Sequence, residues 1–273
     1  MTVCIAAICE DGQRIAVAAD RMFTSPAPLN MEFESEEKKI EGLAPNCLAL
    51  LSGNSGYGTE VLSDVIKRVG GNQGPSLSDV AQWITEAYAA IRARKAEEII
   101  TTPTLGADFI TFRSKGVSLP GYLQPQPAIY QQMVAAMNQF NMNVEIMVSG
   151  IDTTGAHLAV VIHPGTHVWL DKLGYGAIGS GAIHALGRLN LAGQTRHRHL
   201  AETLFSVYDA KKAAEAAPGV GKETDLQIVD KAKGLIECSR TKLEILERLR
   251  VETGKKLSPN LDELKASIEE RLK

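Results

Sequence analysis

The sequence predicts an α+β fold in which antiparallel sheets are covered by helices. Three observations carry that expectation. Short apolar runs come in pairs joined by turn residues; amphipathic runs of helical spacing come in groups between them; and the order is strands, helices, strands, helices rather than strict alternation. With 273 residues, 44% of them hydrophobic and 22% charged, one core can bury roughly three quarters of the surface an unfolded chain of this size exposes. No disulfide or metal is then needed for folding. The formal charge of -3 supplies no global basic field, which argues against nucleic acid or an anionic membrane as partner.

Thr2 to Cys9 is a short apolar run, Glu10-Asp11-Gly12-Gln13 a turn, and Arg14 to Ala19 apolar again. Asp-Gly between two such runs is a strong hairpin signal. A second pair, Glu36 to Leu43 and Cys47 to Ser52, is joined by Ala44-Pro45-Asn46. The glycine-rich stretch Ser52-Gly53-Asn54-Ser55-Gly56 then leads into a helix with Val61, Leu62, Val65, Ile66 and Val69 on one face. Ser76 to Asp79 has the pattern of a helix start, followed by the stripe Val80, Trp83, Ile84, Ala87, Tyr88 and Ile91. Residues 92–142 hold Pro103, Pro120, Pro125 and Pro127 between an apolar run at Phe109 to Phe112 and an amphipathic run at Ile129 to Phe140. They read as an insertion or an excursion of the chain from the domain.

Strand patterns return at Val144 to Ser149, Ala156 to His163 and Thr166 to Leu170, separated by Asp152-Thr153-Thr154-Gly155 and Pro164-Gly165. Gly179-Ser180-Gly181 opens a helix over Ala182 to Leu191. A second helix is expected from about His197 to Ala217, then a strand over Asp225 to Val229. From Ser239 two helical patterns are expected, split by Gly254 and restarted at Ser258-Pro259. The division expected is therefore a domain over 1–238 and a helical extension over 239–273.

Cys4, Cys9, Cys47 and Cys238 lie in apolar or amphipathic runs without CxxC spacing, the pattern of reduced, buried residues. His197 and His199 would diverge on a helix start, so no metal site is expected there. No apolar stretch approaches the roughly 18 residues of a membrane span. The opening residues also lack the basic region and longer apolar core of a secretory signal. A cytoplasmic location is the expectation.

The first hairpin carries chemistry. If Asp11-Gly12 is the loop, Val3 faces Asp20 and Thr2 faces Arg21, with directly opposed Cβ atoms about 4.5 to 5.5 Å apart. The same arithmetic with Pro45-Asn46 as loop puts Lys39 opposite Ser52, beside Gly53. Initiator methionine is commonly removed before a small residue, and its loss would give Thr2 a free α-amine. An α-amine with a pKa of about 7.7 to 8.0 can take the proton of its own hydroxyl at neutral pH. A lysine nearby stabilises the developing alkoxide, an aspartate orients that lysine, and N–H groups of a glycine loop can hold an oxyanion.

These residues resemble the proteasome β-subunit family of N-terminal nucleophile hydrolases, which includes bacterial proteasome homologues. The matching text is Thr2-Val3, Asp11-Gly12, Ala18-Ala19-Asp20-Arg21 with Thr24, Lys38-Lys39-Ile40, Ser52-Gly53 and Gly179-Ser180-Gly181. It covers most of residues 2–69 and 144–229. The resemblance implies a four-layer αββα sandwich and a cytoplasmic threonine-type amide hydrolase, most simply a peptidase. Thr2 would be the nucleophile, Asp20 and Lys39 its activating pair, and Gly53 the oxyanion donor. Thr24 would align the substrate backbone and Ser180 would bond near the α-amine. It further implies a peptide or unfolded-protein substrate, a homo-oligomeric ring, and no metal or organic cofactor. Two alternatives keep the fold: an amidase or acylase acting on a small molecule, and a non-catalytic scaffold. The chain departs from the pattern where catalytic members carry Asp-x-x-Ser-Gly and it has Glu215-Ala216-Ala217-Pro218-Gly219, and at Met22, where a second arginine is usual.

Overall fold

A computed structural model of the protein describes residues 2–24, 31–71, 74–105, 108 and 127–257. It is α+β, with two five-stranded antiparallel sheets. The first sheet is built on the hairpin of β1 (Cys4–Cys9) and β2 (Arg14–Asp20). Its register is the predicted one: Cys4 pairs with Ala19, and one step outward the Asp20 N–H donates to the Val3 carbonyl at 3.2 Å. The sheet is completed by β10 (Tyr175–Ile178), β11 (Thr224–Asp230) and β12 (Gly234–Glu237), in the order β10-β1-β2-β11-β12. A two-stranded ribbon of β3 (Met22–Thr24) and β4 (Glu32–Glu34) follows β2 directly.

The second sheet runs β5 (Ile40–Ala44), β6 (Cys47–Gly53), β7 (Val144–Ile151), β8 (Ala156–Ile162) and β9 (Thr166–Trp169) in chain order. Here one expectation fails. A register shift between Gly42 and Ala44 moves the pairing by one residue, so the Lys39 carbonyl accepts from Leu51 N–H at 3.0 Å and Lys39 lies opposite Leu51, not Ser52. A bulge adds a residue to one strand only, and turn arithmetic assumes none. Strand β5 also starts at Ile40, later than the expected Glu36.

Helix α1 (Ser55–Gly70) is capped by Asn54, whose side chain accepts from Tyr57 N–H at 3.2 Å. Helix α2 (Leu77–Ala96) starts with the expected reciprocal cap: Ser76 Oγ accepts from Asp79 N–H, and Asp79 accepts from Ser76 N–H, both at 3.1 Å. A π turn (Glu97–Thr101) and the short α3 (Thr102–Leu105) continue from it. The amphipathic run in the insertion forms α4 (Pro127–Gln139). The Arg92 guanidinium ties it to α2, donating to the carbonyls of Met137, Asn138 and Phe140. The Phe109 to Phe112 run, Pro120, Pro125 and the Ser258-Pro259 start lie outside the described residues. Helices α5 (Ala182–Leu191), α6 (Leu200–Ala214) and α7 (Arg240–Leu257) complete the order. Helix α6 is shorter than the span from His197 to Ala217, and α7 continues through Gly254 where a break was expected. Within α7, Leu243 and Leu246 pack on the core, and Glu247 accepts from the Tyr208 hydroxyl at 3.0 Å.

Strand β1 is buried along its whole length, which is why its sequence is continuously apolar instead of alternating. Val3, Ile5 and Ala7 join Ala185, Leu189, Val207 and Ala210 of α5 and α6. Cys4, Ala6 and Ile8 point the other way and meet Leu48, Leu50, Met147 and Leu158 of the second sheet. On the far side of that sheet Ala49, Ile146, Val148 and Val161 pack on Val61, Val65, Ile84 and Tyr88 of α1 and α2. Among the described residues no helix is long and apolar enough to cross a membrane.

Candidate active site

The packing of the two sheets brings Lys39, just ahead of β5, onto the start of β1 and the end of β2. Asp20 is fully buried, and Lys39 and Thr2 nearly so. One carboxylate oxygen of Asp20 accepts from Val3 N–H at 2.9 Å, from the Lys39 ammonium at 3.0 Å and from the Thr2 hydroxyl at 3.1 Å. The other accepts from the N–H groups of Met22 and Gly221, each at 3.0 Å. Lys39 Nζ also donates to Thr2 Oγ1 and stands 5.2 Å from the centre of the Phe23 ring. A buried ammonium and carboxylate are tolerable only when paired and hydrogen-bonded, and this pair is both. The positive charge against Oγ1 favours the alkoxide form of that hydroxyl.

On the other side, Thr2 N–H donates to Ser180 Oγ at 3.1 Å, and Ser180 Oγ–H donates back to the Thr2 carbonyl at 3.3 Å. Gly181 N–H also reaches that carbonyl, at 3.1 Å. The approach requires glycine at 179: its φ is +93°, and a Cβ there would sit 2.3 Å from the Thr2 oxygen. Gly179 N–H in turn donates to Glu145 at 2.8 Å.

Gly53 ends β6 with φ +93°, and a Cβ there would lie 1.9 Å from the Asn143 carbonyl oxygen, so the sharp exit from the strand is open only to glycine. Thr2, Lys39 and Gly53 border one cleft of about 460 Å³, walled by Met22, Phe23, Leu51, Leu62 and Ile66. That volume suits a small molecule or one or two peptide residues.

Of the residues singled out in the sequence, Thr2, Asp20, Lys39 and Ser180 are joined by hydrogen bonds, and Gly53 lines the same cleft as Thr2 and Lys39. Thr24 contributes backbone to the ribbon, opposite Glu32. Arg21 turns away and grips Asp225 through Nε and Nη2, at 2.6 to 3.1 Å. Cys4, two residues from Thr2, is fully buried, and that burial pushes its thiol well above the ordinary range. Glu215 does not reach Thr2; it accepts from Lys211 at 2.6 Å and Lys212 at 2.8 Å.

Sequence reasoning missed Gly221, Lys211 and Glu145. Lys211 had a signal: it sits on the apolar stripe of α6 with Val207, Ala210 and Ala214, where a charge needs a reason. Gly221 and Glu145 had none, since their roles depend on partners far away in the chain. Comparison with known protein families and with curated proteins returned no match.

Proposed function

We propose that this protein is a cytoplasmic threonine-type amide hydrolase, a peptidase of the N-terminal nucleophile class, active once Met1 is removed. The observation that carries the reading is the buried Thr2–Lys39–Asp20 constellation beside a Thr2 nitrogen bonded to Ser180. The sheet-on-sheet core with helices outside supports the four-layer αββα sandwich of proteasome β-subunits, and with it a homo-oligomeric ring.

In this mechanism Thr2 Oγ1 attacks the amide carbonyl carbon while its proton passes to the Thr2 α-amine. Gly53 N–H receives the oxyanion. Collapse breaks the C–N bond, the α-amine gives its proton to the leaving amine, and an ester on Oγ1 remains. Water, deprotonated by the same amine, then releases the acid. Lys39 holds the alkoxide, and Asp20, fixed by four other hydrogen bonds, orients Lys39 through a fifth.

Fluorogenic peptide amides and small-molecule amides, offered side by side to the protein and to Thr2→Ala, test this. The proposal expects turnover of peptides that Thr2→Ala abolishes. Preference for small amides would move the reading to an amidase, and no turnover of either would leave a non-catalytic scaffold.

A further inference from the structure

Lys211 is fully buried on the apolar stripe of α6. Its ammonium has three donors, and three acceptors surround it: Glu215 Oε1 at 2.6 Å, the Gly221 carbonyl at 2.9 Å and the Lys222 carbonyl at 2.8 Å. The same Gly221 offers its N–H to Asp20 at 3.0 Å. A single residue of the loop between α6 and β11 is thus held through its carbonyl by Lys211 and faces Asp20 with its N–H. The approach is close: a Cβ on Gly221 would meet Glu34 at 2.7 Å and the Met22 nitrogen at 3.0 Å.

We propose that Lys211 is a positioning residue for Asp20, pinning the loop so that Gly221 N–H stays on one carboxylate oxygen and the other stays aimed at Thr2, Val3 N–H and Lys39. Its consequence for chemistry rests on the hydrolase reading; the positioning itself does not. A residue that merely filled the stripe would be apolar like Val207, Ala210 and Ala214, because a buried ammonium is costly to desolvate. Burial lowers the proton affinity of Lys211 while Glu215 opposes that shift, with Lys212 and Asp20 the other charges that act on it. Glu215, which stands where the family pattern has its aspartate, therefore serves Thr2 indirectly, through Lys211, Gly221 and Asp20.

The test uses the full chain and Lys211→Met. Amide hydrogen exchange is read at Gly221 and at Val3, which bond the two different oxygens of Asp20, with Ile146 in β7 as the folded reference. Exchange at both is expected to quicken about tenfold or more while Ile146 is unmoved. Peptide turnover is read alongside, with kcat expected to fall about tenfold or more and KM to change less than about twofold. A folded variant that keeps protection at Gly221 or at Val3 overturns the proposal. So does one with unchanged kcat where the parent protein turns over. A parent protein without turnover sinks the hydrolase reading alone, because the exchange result still decides the role of Lys211. If Lys211→Met does not fold, Lys211→Met with Glu215→Leu, which removes the stranded carboxylate together with the ammonium, is read in the same way.

Discussion

Replacing Asp20 by asparagine changes one buried oxygen to an amide nitrogen, and the geometry says what that costs. The carboxylate accepts five hydrogen bonds, three on one oxygen and two on the other. Asparagine in its better orientation keeps the first three and turns an NH2 toward the N–H groups of Met22 and Gly221. Each such buried donor left unsatisfied costs about 1 to 3 kcal/mol. The Lys39 ammonium also loses its counter-charge, and breaking a buried pair from one side costs about 3 to 5 kcal/mol. These contributions overlap, so Asp20→Asn is expected to lose about 3 to 5 kcal/mol. Lys39→Met leaves the carboxylate four donors but removes both bonds of the ammonium, to Asp20 and to Thr2 Oγ1, and strands the buried carboxylate, about 3 to 5 kcal/mol. Urea unfolding followed by circular dichroism gives both losses, and the slope shows whether the unfolded state has changed. The double variant should cost less than the two single losses summed, because no charge is stranded in it. An Asp20→Asn variant within about 1 kcal/mol of the parent, or a double variant as costly as the two single losses summed, would overturn this.

Removing the reciprocal helix cap by Ser76→Ala should cost about 1 kcal/mol, seen as a lowered Tm with no change at Thr2. Gly53→Ala must either abandon φ +93° or move Asn143; a loss of about 1 to 3 kcal/mol together with a large drop in Thr2 acylation is expected, and normal reactivity would remove Gly53 from the site. Burial raises all four cysteines, with Cys9 and Cys47 pushed up to about 12. A raised pKa means less thiolate, so iodoacetamide at pH 8 should label native Cys9 and Cys47 roughly a thousandfold more slowly than the same residues of the urea-unfolded chain. By the same sign, their contribution to stability is full below the unfolded thiol pKa and is lost as pH rises toward 12; stability that rose over that interval would contradict it.

Where a local signal fixes geometry, the sequence was sufficient. Asp11-Gly12 between two apolar runs sets the β1–β2 register, and Val3 beside Asp20 follows from it. Ser76 and Asp79 announce their helix for the same reason. The second hairpin failed by one residue because nothing local signals the bulge between Gly42 and Ala44. Strands β4 and β12 are short edge pieces with little pattern to read. Within the site, Thr2 and Ser180 lie 178 positions apart and Asp20 and Gly221 lie 201 apart. The sequence supplies their order, but only the packing of sheet on sheet and helix on sheet supplies their contact.

Intact-mass spectrometry of the native protein after exposure to a β-lactone probe reads both the processing of Met1 and the reactivity of Thr2. The expected product is a chain shortened by Met1 and carrying one probe, with no adduct on Thr2→Ala. A native protein that retains Met1, or a Thr2→Ala variant acylated to the same extent, would contradict it.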